Sequence, residues 1–411
     1  MRKDGSSFIG LSPELKAFIR MHFADDPERL LLSASRYPEM DVPFAIDQII
    51  ARRQIREKLP VWFAEEEIVF PSRLSTEQCS SENTARYKQG LLRGECFCDL
   101  TGGLGVDTFY LAQKAKKGIY VERFTEYCAA AEHNFKVLGA GNIQVMQGNA
   151  EELAGHLSAD TFYLDPARRA KDNKRVFALT DCEPDVVQLK SLLLERCRRM
   201  IVKVSPMADV EETLRLLPET SEVHVVSVRN ECKELLFVLD PAIRRLDDGE
   251  VRICAVNLRP EETEQCFSFI RKEEKAAKLQ TATEVKRFLY EPHAALLKSG
   301  AFKLIACRLG IEKLHQHSHL YTSDRYCADF PGRSFTVDRT VDFSGRLLKE
   351  LKKEIPQANL STRNFPITVA EFRKRSGIKD GGAVYLFATT LSCERRVVIE
   401  CHKAERTAEI R

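Results

Sequence analysis

The stretch CFCDLTGGLGVD, residues 96 to 107, places an acid at the end of a short apolar run and three glycines directly behind it. Such a run predicts a buried strand, and the pattern after Gly105 predicts a helix. A glycine turn between the two lets a ligand approach the backbone with no side chain in the way, while the helix start offers amide groups to an anion. Nucleotide-like ligands are held in this manner, and the spacing decides which. The G-x-G-x-x-G pattern of a dinucleotide turn fails, because Thr108 stands where the third glycine is needed. A P-loop fails too, since no lysine follows the glycines before Lys114.

The pattern that remains is an acid followed by x-Gly-x-Gly-x-Gly, the turn that holds S-adenosylmethionine (SAM). Asp99 to Gly105 fits it with Thr101 in place of the first glycine. Asp99 is expected to accept from the cofactor's ammonium or to hold the turn. Thr101, Gly102, Gly103 and Gly105 complete the candidate cofactor site, with Gly103 and Gly105 admitting the methionine and ribose to the backbone. Asp107, in the first helical turn, is expected to serve the helix dipole.

Three acids or amides follow in order. Glu122 ends the run GIYVE, where an acid bonds ribose hydroxyls. Asn149 follows IQVMQG, with an amide oxygen for the adenine amino group. Asp165-Pro166 ends TFYLD, at the sheet edge where open α/β folds place their chemistry. Asp165 and Pro166 are therefore the candidate catalytic pair, and Asp165 is also a candidate cofactor contact.

The elements that must position these residues are legible in the periodicity. Residues 1–85 read as helical, with Ser12 capping a helix that starts at Pro13 and with Phe44, Ile46, Ile49 and Ile50 forming one buried stripe. From 96 to about 240, apolar runs alternate with helical segments, which predicts a parallel sheet covered on both faces. This sheet is expected to end in a hairpin, VHVVSV and LLFVLD joined by the polar turn RNECKE. Beyond about residue 245 the chain mixes strands and helices, enough for two small α+β domains.

Charge divides along the same line. Residues 251–411 carry 29 Lys and Arg against 20 Asp and Glu, a net +9, which leaves −6 for residues 1–250. A basic half tolerates polyanions. Thirteen cysteines without a C-x-x-C pair suit free thiols in a reducing compartment, and no apolar stretch has the length of a membrane span or the form of a signal peptide. A cytoplasmic protein is expected.

The segment from about 80 to 240 resembles a class I SAM-dependent methyltransferase, and DLTGGLGVD resembles the DxTxGxG variant found in RNA-modifying members. With YEPHAALLKSGAF and NFPITVAEFRKRSGIKDGGAVYLFATT included, nearly the whole chain resembles bacterial methyltransferases that carry ferredoxin-like and THUMP-like domains. The resemblance implies a Rossmann-like α/β fold, a seven-stranded sheet with an antiparallel last strand. It implies a helical domain over 1–85, the methyltransferase domain over 86–245, a ferredoxin-like α+β domain over 246–325 and a THUMP-like α+β domain over 326–411. It also implies SAM as cofactor and an RNA substrate, tRNA or rRNA.

The acceptor is less defined. Amino-group methyltransferases of bases carry Asp/Asn-Pro-Pro-aromatic after the fourth strand, and here Ala167 and Arg168 replace the last two residues. A base nitrogen is still expected, with Arg168 lying on a base or binding a phosphate. Arg373, Lys374 and Arg375 are further candidate phosphate contacts. His315 and His319 would share a face if helical, but no acid or cysteine accompanies them, so no metal is expected. The competing readings are a methyltransferase of a protein or small molecule and a non-catalytic RNA-binding protein with a relic cofactor fold.

Overall fold

The computed structural model describes residues 10–168, 179–243, 249–259 and 264–404. Ser12 accepts from the Leu15 N–H at 3.2 Å and opens helix α1 (Pro13–Met21), with Pro13 at a position where a missing N–H costs nothing. Helix α2 (Val42–Ile55) buries Val42, Ala45, Ile46 and Ile49, whereas Phe44 and Ile50 of the expected stripe are half-buried. Its buried face also includes Gln48 and Arg52. Gln48 exchanges two hydrogen bonds of 2.9 Å with the Phe70 backbone, and Arg52 donates to the carbonyls of Glu65, Glu66 and Ile68. Both side chains satisfy backbone groups of segment 65–70, which belongs to no helix or strand. Helix α3 (Glu82–Gln89) completes the helical region.

The chain forms two compact units, Met1–Val223 with Glu234–Leu246 and His224–Lys233 with Asp247–Arg411. The first holds strands β1 (Cys96–Asp99), β2 (Lys117–Glu122), β3 (Ile143–Gln147), β4 (Thr161–Leu164) and β5 (Arg199–Val204), with the start of β6 (Thr220–Val228) and the greater part of β7 (Glu231–Leu239), whose turn ends are counted in the second. Their order is β6-β7-β5-β4-β1-β2-β3. Strands β3, β2, β1, β4 and β5 run parallel, and β7 pairs with β5 antiparallel, Val202 opposite Phe237. These seven strands, with their reversed last strand, follow the seven-stranded pattern that the sequence leads one to expect, within a sheet of nine.

The parallel strands are linked by helices α4 (Val106–Ala112), α5 (Thr125–Val137), α6 (Ala150–Leu153) and α7 (Val186–Leu194), and α8 (Val210–Leu216) leads from β5 to β6. Such crossovers bring every parallel strand's C-terminal end to one edge, so Asp99, Glu122 and Asp165 emerge together. The helical region is part of this unit: Trp62, Ile68 and Phe70 share a core with Phe109, Tyr110, Tyr120 and Phe135. Trp62 is fully buried, edge-on to Phe109 at 5.9 Å.

The hairpin is tighter than the sequence suggests. Only Arg229 and Asn230 form the turn, both at positive φ (49° and 67°), and the remainder of RNECKE belongs to β7. Two consecutive left-handed residues match the right-handed twist of the flanking strands. In the second unit, this hairpin tip is followed by β8 (Arg252–Leu258), which bonds beside β6, and β9 (Gln265–Ile270), antiparallel to β8.

The rest of the second unit is a seven-stranded sheet of β10 (Phe288–Pro292), β11 (Glu312–Lys313), β12 (Tyr321–Ser323), β13 (Gly332–Asp342), β14 (Asn359–Arg363), β15 (Val384–Thr390) and β16 (Arg396–Lys403). Its order is β11-β12-β10-β13-β16-β15-β14. Helices α9 (Gly345–Glu354) and α10 (Val369–Ser376) pack on it, α10 crossing between the parallel pair β14 and β15. Buried Glu291 on β10 holds Arg333 on β13 and Arg363 on β14, which ties the early and late strands together.

Because Trp62 fills the seam between the helical region and the sheet's own helices, Trp62→Ala is expected to cost about 3–5 kcal/mol. Denaturant titration followed by far-ultraviolet circular dichroism should show a lowered first transition. An unchanged midpoint would mean that the helical region folds independently of the sheet.

Candidate methyl-transfer site

The turn after β1 is held from within. Asp99 is buried, and its carboxylate accepts from the Thr101 N–H at 2.9 Å, the Thr101 hydroxyl at 3.2 Å and the Thr108 hydroxyl at 2.7 Å. Of the two roles expected for Asp99, these bonds serve the second, holding the turn. Thr101 does what a glycine could not: its hydroxyl donates to Asp99 and accepts the Asp165 N–H at 2.7 Å. The end of β1 and the end of β4 are thereby locked in register. Burial, opposed by the two threonine bonds and assisted by nearby Asp107 and Asp165, pushes the Asp99 carboxyl up to about 7.

The glycines have separate reasons. A Cβ on Gly102 would lie 2.2 Å from the Tyr120 ring, and one on Gly105 would lie 2.7 Å from the Phe135 ring. Packing inside the fold thus requires both, and the reason given to Gly105 by the sequence, approach to the ligand, is not the one the structure displays. Gly103 differs. Its φ is +54°, a Cβ there would meet only the Thr101 carbonyl at an ordinary 3.8 Å, and its N–H donates to the Glu122 carboxylate at 3.0 Å. Glu122 also accepts the N–H groups of Arg123 and Phe124, at 2.8 and 3.0 Å, so the carboxylate is fixed beside the turn. An open glycine face with a preset carboxylate next to it fits the ribose and methionine of SAM. Asp99, Thr101, Gly102, Gly103, Gly105, Glu122 and Asp165 form one connected group.

Asn149 stands apart from that network. It caps α6, its amide oxygen accepting the Glu151 N–H at 3.0 Å. One lone pair of that oxygen remains for an adenine amino group.

Asp165 is the exposed end of a charged chain that the sequence reading missed. Its carboxylate accepts from Lys203 Nζ at 2.5 Å, with the Asp165 side chain 37% exposed and Lys203 14%. Lys203 Nζ also lies 3.4 Å from Ser80 Oγ. Behind it, fully buried Lys88 donates to Ser80 Oγ and to Glu234, both at 2.9 Å, and contacts Asp107 at 3.0 Å. Asp107 accepts from Ser80 at 2.7 Å and from the Tyr163 hydroxyl at 2.8 Å. This corrects the dipole role expected of Asp107: its carboxylate is spent on a buried lysine. Burial works against the Lys203 charge, but the carboxylates of Asp165, Glu234 and Asp107 outweigh it and raise its pKa above the ordinary lysine value.

The only sequence signal for these partners was polarity inside apolar runs, Lys203 in MIVKV and Glu234 in KELLFV. Lys88 gave none, because it lies among the polar residues that make up most of α3. Pro166 is buried beside Asp165. Ala167 and Arg168 form a two-residue strand against Cys182 and Glu183, and the Arg168 side chain lies outside what the structure describes.

The basic candidates of the second unit are partly committed. Arg373 donates to the carbonyls of Ile378 and Ala358 and to Asp380, closing the loop after α10. Arg375 pairs with Glu371 one helical turn back, and Lys374 is exposed. Residues 315–319 form a turn rather than a helix, so His315 and His319 do not share a helix face. His315 accepts from the His317 N–H at 3.1 Å and bonds Asn364 at 2.9 Å, while His319 stacks on Phe302 at 3.9 Å.

Comparison with known proteins places the fold. Residues 288–331 match a ferredoxin-like domain family and residues 332–403 a THUMP domain-like family. The crystal structure of a candidate methyltransferase from Porphyromonas gingivalis W83 superposes with a TM-score of 0.88 at 39% identity, covering 95% of this chain and 98% of that one. The chain belongs to this methyltransferase family, a class I SAM-dependent group with ferredoxin-like and THUMP-like C-terminal domains. An uncharacterised RNA methyltransferase of Halalkalibacterium halodurans is 30% identical over 102 residues, 24% of this methyltransferase. That match spans 22% of the relative's length.

The raised Asp99 pKa has a sign that can be checked. The folded carboxyl binds its proton more tightly than the unfolded one, so its contribution to stability is complete below about pH 4 and is lost as pH rises through about 7. Asp99→Asn is expected to flatten that part of the pH profile, measured as melting temperature between pH 5 and pH 8 by scanning calorimetry. An unaltered slope would show that Asp99 ionises normally in the fold.

Proposed function

We propose that this chain is a cytoplasmic SAM-dependent methyltransferase of RNA, tRNA or rRNA, whose acceptor group docks at Asp165-Pro166. The observation that carries this reading is the Thr101 hydroxyl, which bonds the acid of the glycine turn and the backbone of Asp165 at once. It sets the cofactor cradle and an exposed carboxylate on one sheet edge, an arrangement suited to transfer between two bound partners. Gly103, Glu122 and Asn149 would hold SAM, which supplies the activated methyl group, on a turn shaped by Asp99, Thr101, Gly102 and Gly105 and bordered by Asp165. Asp165 would orient the acceptor and receive its proton, with Pro166 fixing the turn.

The RNA part is supported by the THUMP-like match and by the relative named as an RNA methyltransferase. The net +9 of residues 251–411 suits a polyanion. Phosphates would meet Arg168, Arg373, Lys374 and Arg375, with Lys374 the freest of the last three. The division of labour would follow the segments read from sequence: a helical buttress to residue 85, catalysis over 86–245, and RNA handling by 246–325 and 326–411. Thirteen cysteines with no disulfide among the described residues suit the cytoplasm. Within RNA, the Asp165-Pro166 pair by itself speaks for a base nitrogen, and the lysine bonded to it speaks for a hydroxyl.

The test is transfer of labelled methyl from SAM to RNA taken from cells lacking the gene. Asp165→Ala should lower the rate about a hundredfold or more, while the dissociation constant for SAM measured by calorimetry changes less than about threefold. Labelling of protein rather than RNA, or equal loss of SAM binding and transfer, would contradict the assignment.

A further inference from the structure

The acceptor atom can be argued from the sign of charge it develops. An amino nitrogen that attacks a methyl group becomes cationic, and it arrives with two N–H donors that need two acceptors. A hydroxyl oxygen arrives with one donor and spare lone pairs, and it gains negative character as its proton leaves. A site for the first should present acceptors and no cation. A site for the second should present one acceptor and one cationic donor.

Asp165 and Lys203 make the second kind of site. One Asp165 oxygen takes the Lys203 Nζ at 2.5 Å, and the other is open at a side chain 37% exposed. Lys203 cannot leave: Ser80 lies 3.4 Å from its nitrogen, and the carboxylates of Asp107 and Glu234 sit behind it, both already bound to Lys88. Lys88 is fully buried, so this inner tier is fixed, and its two carboxylates hold Lys203 in its charged form. The residues after Asp165-Pro166 point the same way. Ala167 and Arg168 offer no aromatic ring on which a flipped base would stack.

We propose that the acceptor is the 2′-hydroxyl of a ribose in RNA, held between the Lys203 ammonium and the open oxygen of Asp165. This rests on the reading of the chain as an RNA methyltransferase, since the 2′-hydroxyl is the group that distinguishes RNA from DNA. The oxygen forms a bond to the methyl carbon as the carbon–sulfur bond breaks, its electron pair remaining on sulfur. The hydroxyl proton passes to Asp165 and then to water, so an ether, a thioether and a regenerated carboxylate result. Lys203 keeps its protons throughout and donates to the oxygen while its charge grows.

The experiment locates the label. RNA from cells lacking the gene is methylated by the intact chain with methyl-labelled SAM and then hydrolysed in alkali, which cannot cleave next to a 2′-O-methyl group. Label in alkali-resistant dinucleotides is the expected result. Label in mononucleotides, on the base, would overturn this inference and leave the RNA reading standing; no label in RNA would overturn both. Lys203→Met should reduce transfer about a hundredfold, with Lys203→Arg recovering part of it and SAM affinity by calorimetry the same in all three proteins. If SAM affinity falls along with transfer, Lys203 serves the cofactor and its assignment to the acceptor fails.

Discussion

Two lysines and three carboxylates share the interior below the C-terminal edge of the first sheet, and the site's geometry depends on their mutual pairing. Lys88 is inaccessible to water and Glu234 nearly so, so neither charge would be tolerated alone. Losing one partner of such a group costs roughly 3–5 kcal/mol, because the other stays buried and charged. The pairing also carries direction. Lys88 consumes Asp107 and Glu234, and Lys203, above it, is left to face Asp165. A structural ion cluster at its base therefore becomes a polar acceptor site at its mouth.

The second constraint is the hydroxyl of Thr101. A glycine there would complete the commoner pattern but would remove the side-chain bond that joins β1 and β4 at their C-terminal ends. Thr101 bonds Asp99 and the Asp165 backbone together, so the turn that would hold the cofactor and the residue that would face the acceptor move as one. Transfer between bound partners is sensitive to displacements of about 1 Å, and this hydroxyl is the element that removes such freedom.

Much of this was legible in the sequence. The alternation of apolar runs gave the parallel sheet and its reversed last strand, because buried parallel strands are nearly continuous in hydrophobicity. The order Asp99, Glu122, Asp165 fell on strand ends because right-handed crossovers leave no other edge for them. What escaped was everything decided by side chains meeting across long sequence separations. Lys88 and Glu234 lie 146 residues apart in the chain, and no local pattern marks their contact. The hairpin turn is shorter than RNECKE suggests, because Cys232 and the residues after it become strand beside their hairpin partner β6. Gly105 was assigned to the ligand, whereas Phe135, from a helix three elements away, is what excludes a side chain there. The histidine turn shows a similar limit: spacing alone cannot tell a helix from a turn fixed by Asn364 and Phe302.

The Gly103 face and the Glu122 carboxylate form a preset cradle joined to Asp165 through Thr101. Calorimetric titration of the intact chain with S-adenosylhomocysteine tests it most directly, because the product fills the cradle without depending on which RNA is the substrate. Saturable binding at one site per chain, weakened at least about tenfold by Glu122→Ala, is the predicted result. Absence of binding, or binding indifferent to Glu122, would contradict it.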